Sequence, residues 1–197
     1  MSVVPTEPAR PAPRPLPPME VLDHISAGIF AATMAPLFEG APRFLGRLAV
    51  ARPFGSLVTL FERARQIAHA MPIAEQLELI DAHPRLGAPP ASVSAMSFVE
   101  QGYDQEAAER AARKAESERA RVAAELDRLN TAYETRFGFR YCVFVAGRPR
   151  SELLAGLEAA LEAGRLAELA RAIDAVIDIA ADRAAKLGIA GPEEAHA

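Results

Sequence analysis

The sequence predicts an all-α fold, a single compact domain of seven to nine helices, and three observations predict it. Apolar residues recur at three- and four-residue spacings through most of the chain. Only one run, Tyr141–Val145, has strand propensity, and no other segment offers it a convincing partner. Seven of the sixteen prolines fall in residues 1–18, so the helix breakers are concentrated at one end.

Residues 1–18, MSVVPTEPARPAPRPLPP, are expected to form an extended or disordered arm: a flexible leader, or a ligand for a proline-recognition domain. The arm has no apolar core of the signal-peptide kind. The helical domain is expected over 19–190, followed by a tail over 191–197. MEVLDHISAGIFAATMAPLF carries Val21, Leu22, Ile25, Ile29 and Phe30 at helical spacing, and PRFLGRLAV is a short helix with proline in its first turn. The next helix repeats apolar residues at Leu57, Leu60, Phe61, Ala64, Ile67 and Ala68. PIAEQLELIDA begins at Pro72 and should pack through Ile73, Leu77 and Ile80. Residues 104–129, rich in Ala, Glu and Arg, predict a long and largely solvated helix. Tyr141–Val145 fits a buried extended segment or a helix start. SELLAGLEAALEAG offers Ser151 as N-cap and Gly164 as stop, and the last helix should run from Arg165 to Leu187 with Gly188 beyond it.

Half of the 197 residues are apolar and the formal net charge is −4. Nothing in that balance suggests nucleic acid as a partner. The single cysteine, Cys142, can form neither an intrachain disulfide nor a thiolate cluster for zinc, which suggests a reducing compartment. No run approaches the ~18 apolar residues of a membrane span. A soluble, cytoplasmic protein is the expectation.

Several residues could carry chemistry. His83 precedes Pro84, and a residue before proline is pushed out of the α region. The preceding helix should therefore end there, releasing the imidazole into the restrained loop PRLGAPPASVS. A histidine beside helix carbonyls is the commoner arrangement, because the macrodipole favours it. No other histidine stands at metal-ligand spacing from His83, so no metal is expected. In MSFVEQ, Ser97, Glu100 and Gln101 stand at i, i+3 and i+4 and share a helix face. The same residues also fit a capping box with Ser97 as N-cap and Glu100 at N3. In the last helix the apolar stripe Leu166, Leu169, Ile173, Val176, Ala180, Leu187 skips one position, which Arg183 fills. A guanidinium on a buried stripe must find an anion, whether an internal carboxylate or a bound ligand, unless it snorkels at the stripe edge. Gly138, between Phe137 and Phe139, fits a helix C-cap packed by aromatics or a backbone wall of a pocket.

RPF at 52–54, AHPRLG at 82–87, S-x-x-EQ at 97–101 and LNTAYETRFGF at 129–139, in this order, closely resemble the decarboxylases of 2-oxo-4-hydroxy-4-carboxy-5-ureidoimidazoline (OHCU). The resemblance covers roughly residues 20–188. It implies an all-helical fold, a homodimer, and a cofactor-free reaction on a small ureidoimidazoline that yields (S)-allantoin and carbon dioxide. It implies that His83 and Glu100 are catalytic, and that Ser97 and Arg183 help bind substrate. Pocket contacts are implied for Pro84, Gln101, Phe137, Gly138, Phe139 and Val143. Arg140 stands where the family often has proline, and the loop after His83 is short. That loop leaves open a related decarboxylase with a shifted substrate. From another class, a non-enzymatic ligand-binding or scaffold protein on the same fold also stays open.

Overall fold

The computed structural model describes residues 14–102 and 113–189; the rest of the proline-rich arm, residues 103–112 and the tail lie outside the described residues. Nine α-helices and two short 3-10 turns account for the secondary structure among them, with no strand longer than an isolated bridge. The helices are α1 (Met19–His24), α2 (Ala27–Met34), α3 (Pro42–Val50), α4 (Leu57–Ala70), α5 (Ile73–Asp81), α6 (Ala95–Glu100), α7 (Arg113–Phe137), α8 (Arg150–Ala160) and α9 (Arg165–Leu187). The 3-10 turns are Ala35–Phe38 and Pro90–Ser92.

The segment expected as one helix from Met19 breaks at Ser26, whose hydroxyl accepts from the Ile29 amide and starts α2 afresh. Arg52 braces the break. Its guanidinium donates to the carbonyls of Leu22, Ile25 and Ala49 and lies 4.6 Å over the Phe30 ring. Asp23 accepts from the Phe54 and Gly55 amides. The RPF motif thus ties α1 to the loop before α4. Ile29, expected to pack, faces solvent.

α9 is the centre of the domain. Ala172, Ile173, Val176, Ile177, Ala180 and Ala184 are buried along it, and it packs against α4, α5 and the Ala35–Phe38 turn. Small alanines on the stripe permit close helix approach. α9 ends where expected, with Gly188 at φ 69°. α8 differs: Pro149 precedes its first turn, Ser151 lies inside it, and Gly164 serves as N-cap of α9 instead of stopping α8. On α5 the buried positions are Gln76, Leu79 and Ile80, while Ile73 is exposed.

α7 packs on α8, and its C-terminal end carries an aromatic cluster. Tyr133 sits 4.5 Å from Phe137 and meets Phe139 and Tyr141 edge-on at 5.7 and 5.2 Å between centroids. The Tyr133 hydroxyl donates to Glu168, which also takes Arg171. Residues 140–145 form neither helix nor strand, so Tyr141–Val145 is not a helix start. Their carbonyls are held by arginines instead: Cys142 by Arg171, and Phe144 and Val145 by Arg148. Leu16, placed in the arm by sequence, is buried, and its amide donates to Gly188 at 3.0 Å.

Candidate active site

Every residue of the HPRLG segment has a physical task. α5 ends at Asp81, Ala82 caps it, and Pro84 forbids another turn. Arg85 anchors the loop to α7 through Asp127, Thr131 and Glu134. The Leu86 carbonyl accepts from Asn130, and Leu86 itself is buried. Gly87 sits at φ 79°, a conformation that favours glycine, and a Cβ there would lie 3.2 Å from the Leu126 side chain, which would have to give way slightly. Its amide donates to the Gln101 side chain at 2.8 Å, fastening the loop to α6. Arg140 adds a second fastening: its amide donates to the Asp81 carboxylate and its guanidinium to the carbonyls of Asp81 and His83. A proline at 140 could make none of these bonds.

The loop carries His83 to the wall of a small, partly open cavity. Pro84, Ser97, Glu100, Gln101 and Val143 line the same cavity, so five of the predicted contacts surround the predicted histidine. Asp182 and Lys186 of α9 also line it; their ion pair spans 2.6 Å. An i, i+4 acid–lysine pair was visible in the sequence, but nothing there placed it at a cavity. Cys142 lines the cavity too, and burial pushes its thiol up to about 12, which makes it a poor nucleophile at neutral pH.

Four predicted residues do not line the cavity: Arg183, which stands behind it, and three residues that lie elsewhere, Phe137, Gly138 and Phe139. Phe137 and Phe139 belong to the aromatic cluster, because their ring edges complete the packing around Tyr133. Gly138, at φ 78°, terminates α7 by donating to the Glu134 carbonyl. None of the three lines the cavity.

The N-cap of α6 is Ser94, whose hydroxyl accepts from the Ser97 amide at 3.1 Å. The cap therefore lies three residues before the expected Ser97, and with Ser97 at N3 the expected S-x-x-E capping box does not form. Ser97, inside the helix, is buried, and it shares the cavity face with Glu100 and Gln101 as the i, i+3, i+4 spacing predicted.

Arg183 stands behind this face, buried to 1% and not among the cavity-lining residues. It takes the internal-carboxylate alternative. Nε and Nη2 donate to Glu100 at 2.6 and 2.8 Å. Nη1 donates to the carbonyls of Pro36 and Leu37, and Nη2 also reaches Glu39 and the Ser97 hydroxyl. The fork is saturated by the protein itself. Glu39 was invisible to sequence reasoning. Burial works to raise its carboxyl pKa, but Arg183, Ser97 and Ser94 together hold it below the usual range.

His83 is 5% exposed, and neither ring nitrogen has a hydrogen-bond partner in ordinary geometry among the described residues. Burial first, then the Arg183 guanidinium, lowers its pKa to about 4, against an opposing pull from Glu39 and the Leu79 carbonyl. The ring is therefore neutral at neutral pH. Glu100 hydrogen-bonds Arg183 rather than His83. Among the described residues no group of three His, Cys, Asp or Glu side chains is placed to hold a metal ion, and no helix is long and apolar enough to cross a membrane.

The family model described as OHCU decarboxylase matches residues 23–185. The chain is 31% identical over 169 residues to the uric acid degradation bifunctional protein PucL of Bacillus subtilis (strain 168), covering 86% of this chain and 32% of the relative. It is 24% identical over 162 residues to the uric acid degradation bifunctional protein of Bacillus sp. (strain TB-90), covering 82% and 30%. The chain thus spans about a third of the length of these curated relatives. Its fold is similar to a crystal structure of OHCU decarboxylase in the presence of (S)-allantoin, with TM-score 0.57 and 23% identity over 78% of this chain and 94% of that one. It is also similar to a crystal structure of (S)-allantoin synthase, with TM-score 0.58 and 16% identity over 86% of this chain and 54% of that one.

Proposed function

The chain belongs to the OHCU decarboxylase family, and from that premise we propose that it converts OHCU to (S)-allantoin and carbon dioxide, without a cofactor, in the breakdown of urate. One observation carries the proposal: a buried imidazole with both nitrogens unpartnered, in a cavity it shares with Glu100 and Ser97. Buried polar atoms are nearly always paired, and an unpaired ring at a cavity wall is available to a ligand.

The substrate bears a carboxylate and a hydroxyl on one carbon, beside an unsaturated ring carbon that carries the ureido group. When the carboxylate leaves as carbon dioxide, its bonding pair forms a double bond to that neighbour, and the ring nitrogen takes up a proton. His83, neutral, accepts the hydroxyl proton as the carbonyl forms and returns it to the neighbouring carbon on one face. The single proton gained overall balances the negative charge of the lost carboxylate. A bound anion beside the ring favours its protonated form, which raises the proton affinity of His83 at the moment it must hold a proton.

Glu100 and Ser97 supply acceptors for the ureido and ring N–H groups, and fixed acceptors orient the ring. Gln101, Pro84 and Val143 shape the wall, and Arg183 positions Glu100 and Ser97. The same reading carries a homodimer, as the family resemblance implies, which sedimentation tests. It also carries a cytoplasmic site of action, where a free thiol such as Cys142 stays reduced.

Freshly generated OHCU, followed by the circular dichroism of (S)-allantoin, tests the activity. The protein should outpace spontaneous decay, and equal rates with and without it would sink the reading.

A further inference from the structure

We propose that Glu39 is a positioning residue of this site: its carboxylate fixes Ser97 and Arg183, and through them Glu100, around His83 without touching the substrate. The inference deepens the decarboxylase reading and rests on it.

Glu39 follows the Ala35–Phe38 turn, far in sequence from every other residue of the site. Its Oε1 accepts from Ser94 Oγ at 2.7 Å, Ser97 Oγ at 2.6 Å and Arg183 Nη2 at 2.9 Å. Its side chain is 13% exposed, and it is absent from the cavity wall. The backbone at Glu39 is left-handed, φ 52° and ψ 27°, and Gly40 and Ala41 follow at φ 107° and 24°. Two of these three residues carry a Cβ, and such a conformation persists only where contacts hold it. The three bonds to Oε1 are contacts of that kind.

The bonding pattern sets what the cavity offers. A serine hydroxyl has one proton. Ser97 gives its proton to Glu39 and accepts from Arg183, so it meets a ligand only as an acceptor. Without the Glu39 carboxylate, Ser97 is free to rotate and donate, and Arg183 rests on Glu100 alone among carboxylates. The charged groups around the His83 ring are Glu39, Glu100 of α6, and Asp182, Arg183 and Lys186 of α9. Tyr141 and Cys142 line the same cavity from the segment after α7, both raised by burial. Removing one carboxylate from this set disfavours the imidazolium.

Glu39→Gln keeps the size and removes the charge. Its kcat should fall about tenfold or more while KM changes less, as expected when a site is mispositioned but not emptied. The acid limb of its kcat/KM profile should move to lower pH. The His83 ring, titrated by NMR without turnover, should shift the same way, whereas Glu39→Asp should keep the limb in place. Unchanged kcat together with an unchanged His83 titration would overturn the proposal. Should Glu39→Gln not fold, Ser94→Ala withdraws one donor from Glu39: a several-fold lower kcat supports the proposal and an unaltered one overturns it. If the wild-type protein fails to outpace spontaneous decay, the decarboxylase reading falls, and the NMR titration still decides whether Glu39 sets the state of His83.

Discussion

Arg183 and Glu100 meet in a two-point clasp, Nε to Oε1 at 2.6 Å and Nη2 to Oε2 at 2.8 Å, while the same guanidinium caps the carbonyls of Pro36 and Leu37. Lysine cannot reproduce a planar fork. Arg183→Ala should destabilise the fold by about 3–5 kcal/mol, because two carboxylates lose their counter-charge in a poorly solvated site. Arg183→Lys should fall between the two in urea unfolding and should lose most turnover. Wild-type stability in either variant would refute the clasp.

His83 should behave in the opposite way. Its nitrogens lack partners, so the native fold gains little from the imidazole. His83→Leu should leave stability unchanged or higher in thermal unfolding, yet reduce turnover by ~10²–10⁴-fold. A stability–activity split of this kind marks a residue kept for function. A large loss of stability in His83→Leu would return this histidine to a purely structural role.

The low imidazole pKa has a signed consequence. Folded His83 titrates near 4, against 6.5 for an ordinary histidine. Between those values the unfolded chain binds more protons than the native one, so stability rises with pH across the window. Relative to His83→Leu, the wild-type protein should lose about 3 kcal/mol between pH 6.5 and 4. Denaturant melts of both proteins at several pH values measure the difference, and parallel curves would contradict it.

Arg140 fastens the end of α5 and the His83 carbonyl to the segment after α7, although it is exposed. Arg140→Ala should shift His83 slightly and lower kcat by roughly 10- to 100-fold, since small misplacements of a reacting group are costly. KM and melting temperature should change little. Arg140→Pro also removes the amide bond to Asp81 and should lower kcat further.

Tyr133→Phe tests the wall from behind. The buried hydroxyl donates to Glu168, which orients Arg171 on the Cys142 carbonyl. Its loss should cost about 1–3 kcal/mol of stability. Turnover measured well below the melting temperature should fall far less than in His83→Leu.

The helices legible in the sequence were those whose apolar period ran long. α9 could be placed to its last residue because its stripe, its missing tooth at Arg183 and Gly188 all agreed. α6 could be mis-phased by one turn because S-x-x-S-x-x-E offers a cap at either serine; only the burial of Ser97 separates them. The His83–Pro84 break was legible because proline acts locally. Glu39 was not, since its importance arises from a left-handed backbone and from partners 55 to 144 residues away. Phe137 and Phe139 were assigned to the pocket by resemblance, yet their spacing from Tyr133 already fitted a core cluster.

The bond between the Leu16 amide and the Gly188 carbonyl puts the two poles of the helical body side by side. A body whose entry and exit coincide can be inserted into a host loop, or joined to a second module at either end, without stretching any helix across the cavity mouth. A circular permutant that welds these poles with a short Gly-Ser bridge and opens the chain between α8 and α9 would keep His83, Glu100 and Arg183 in register, whatever stands upstream or downstream.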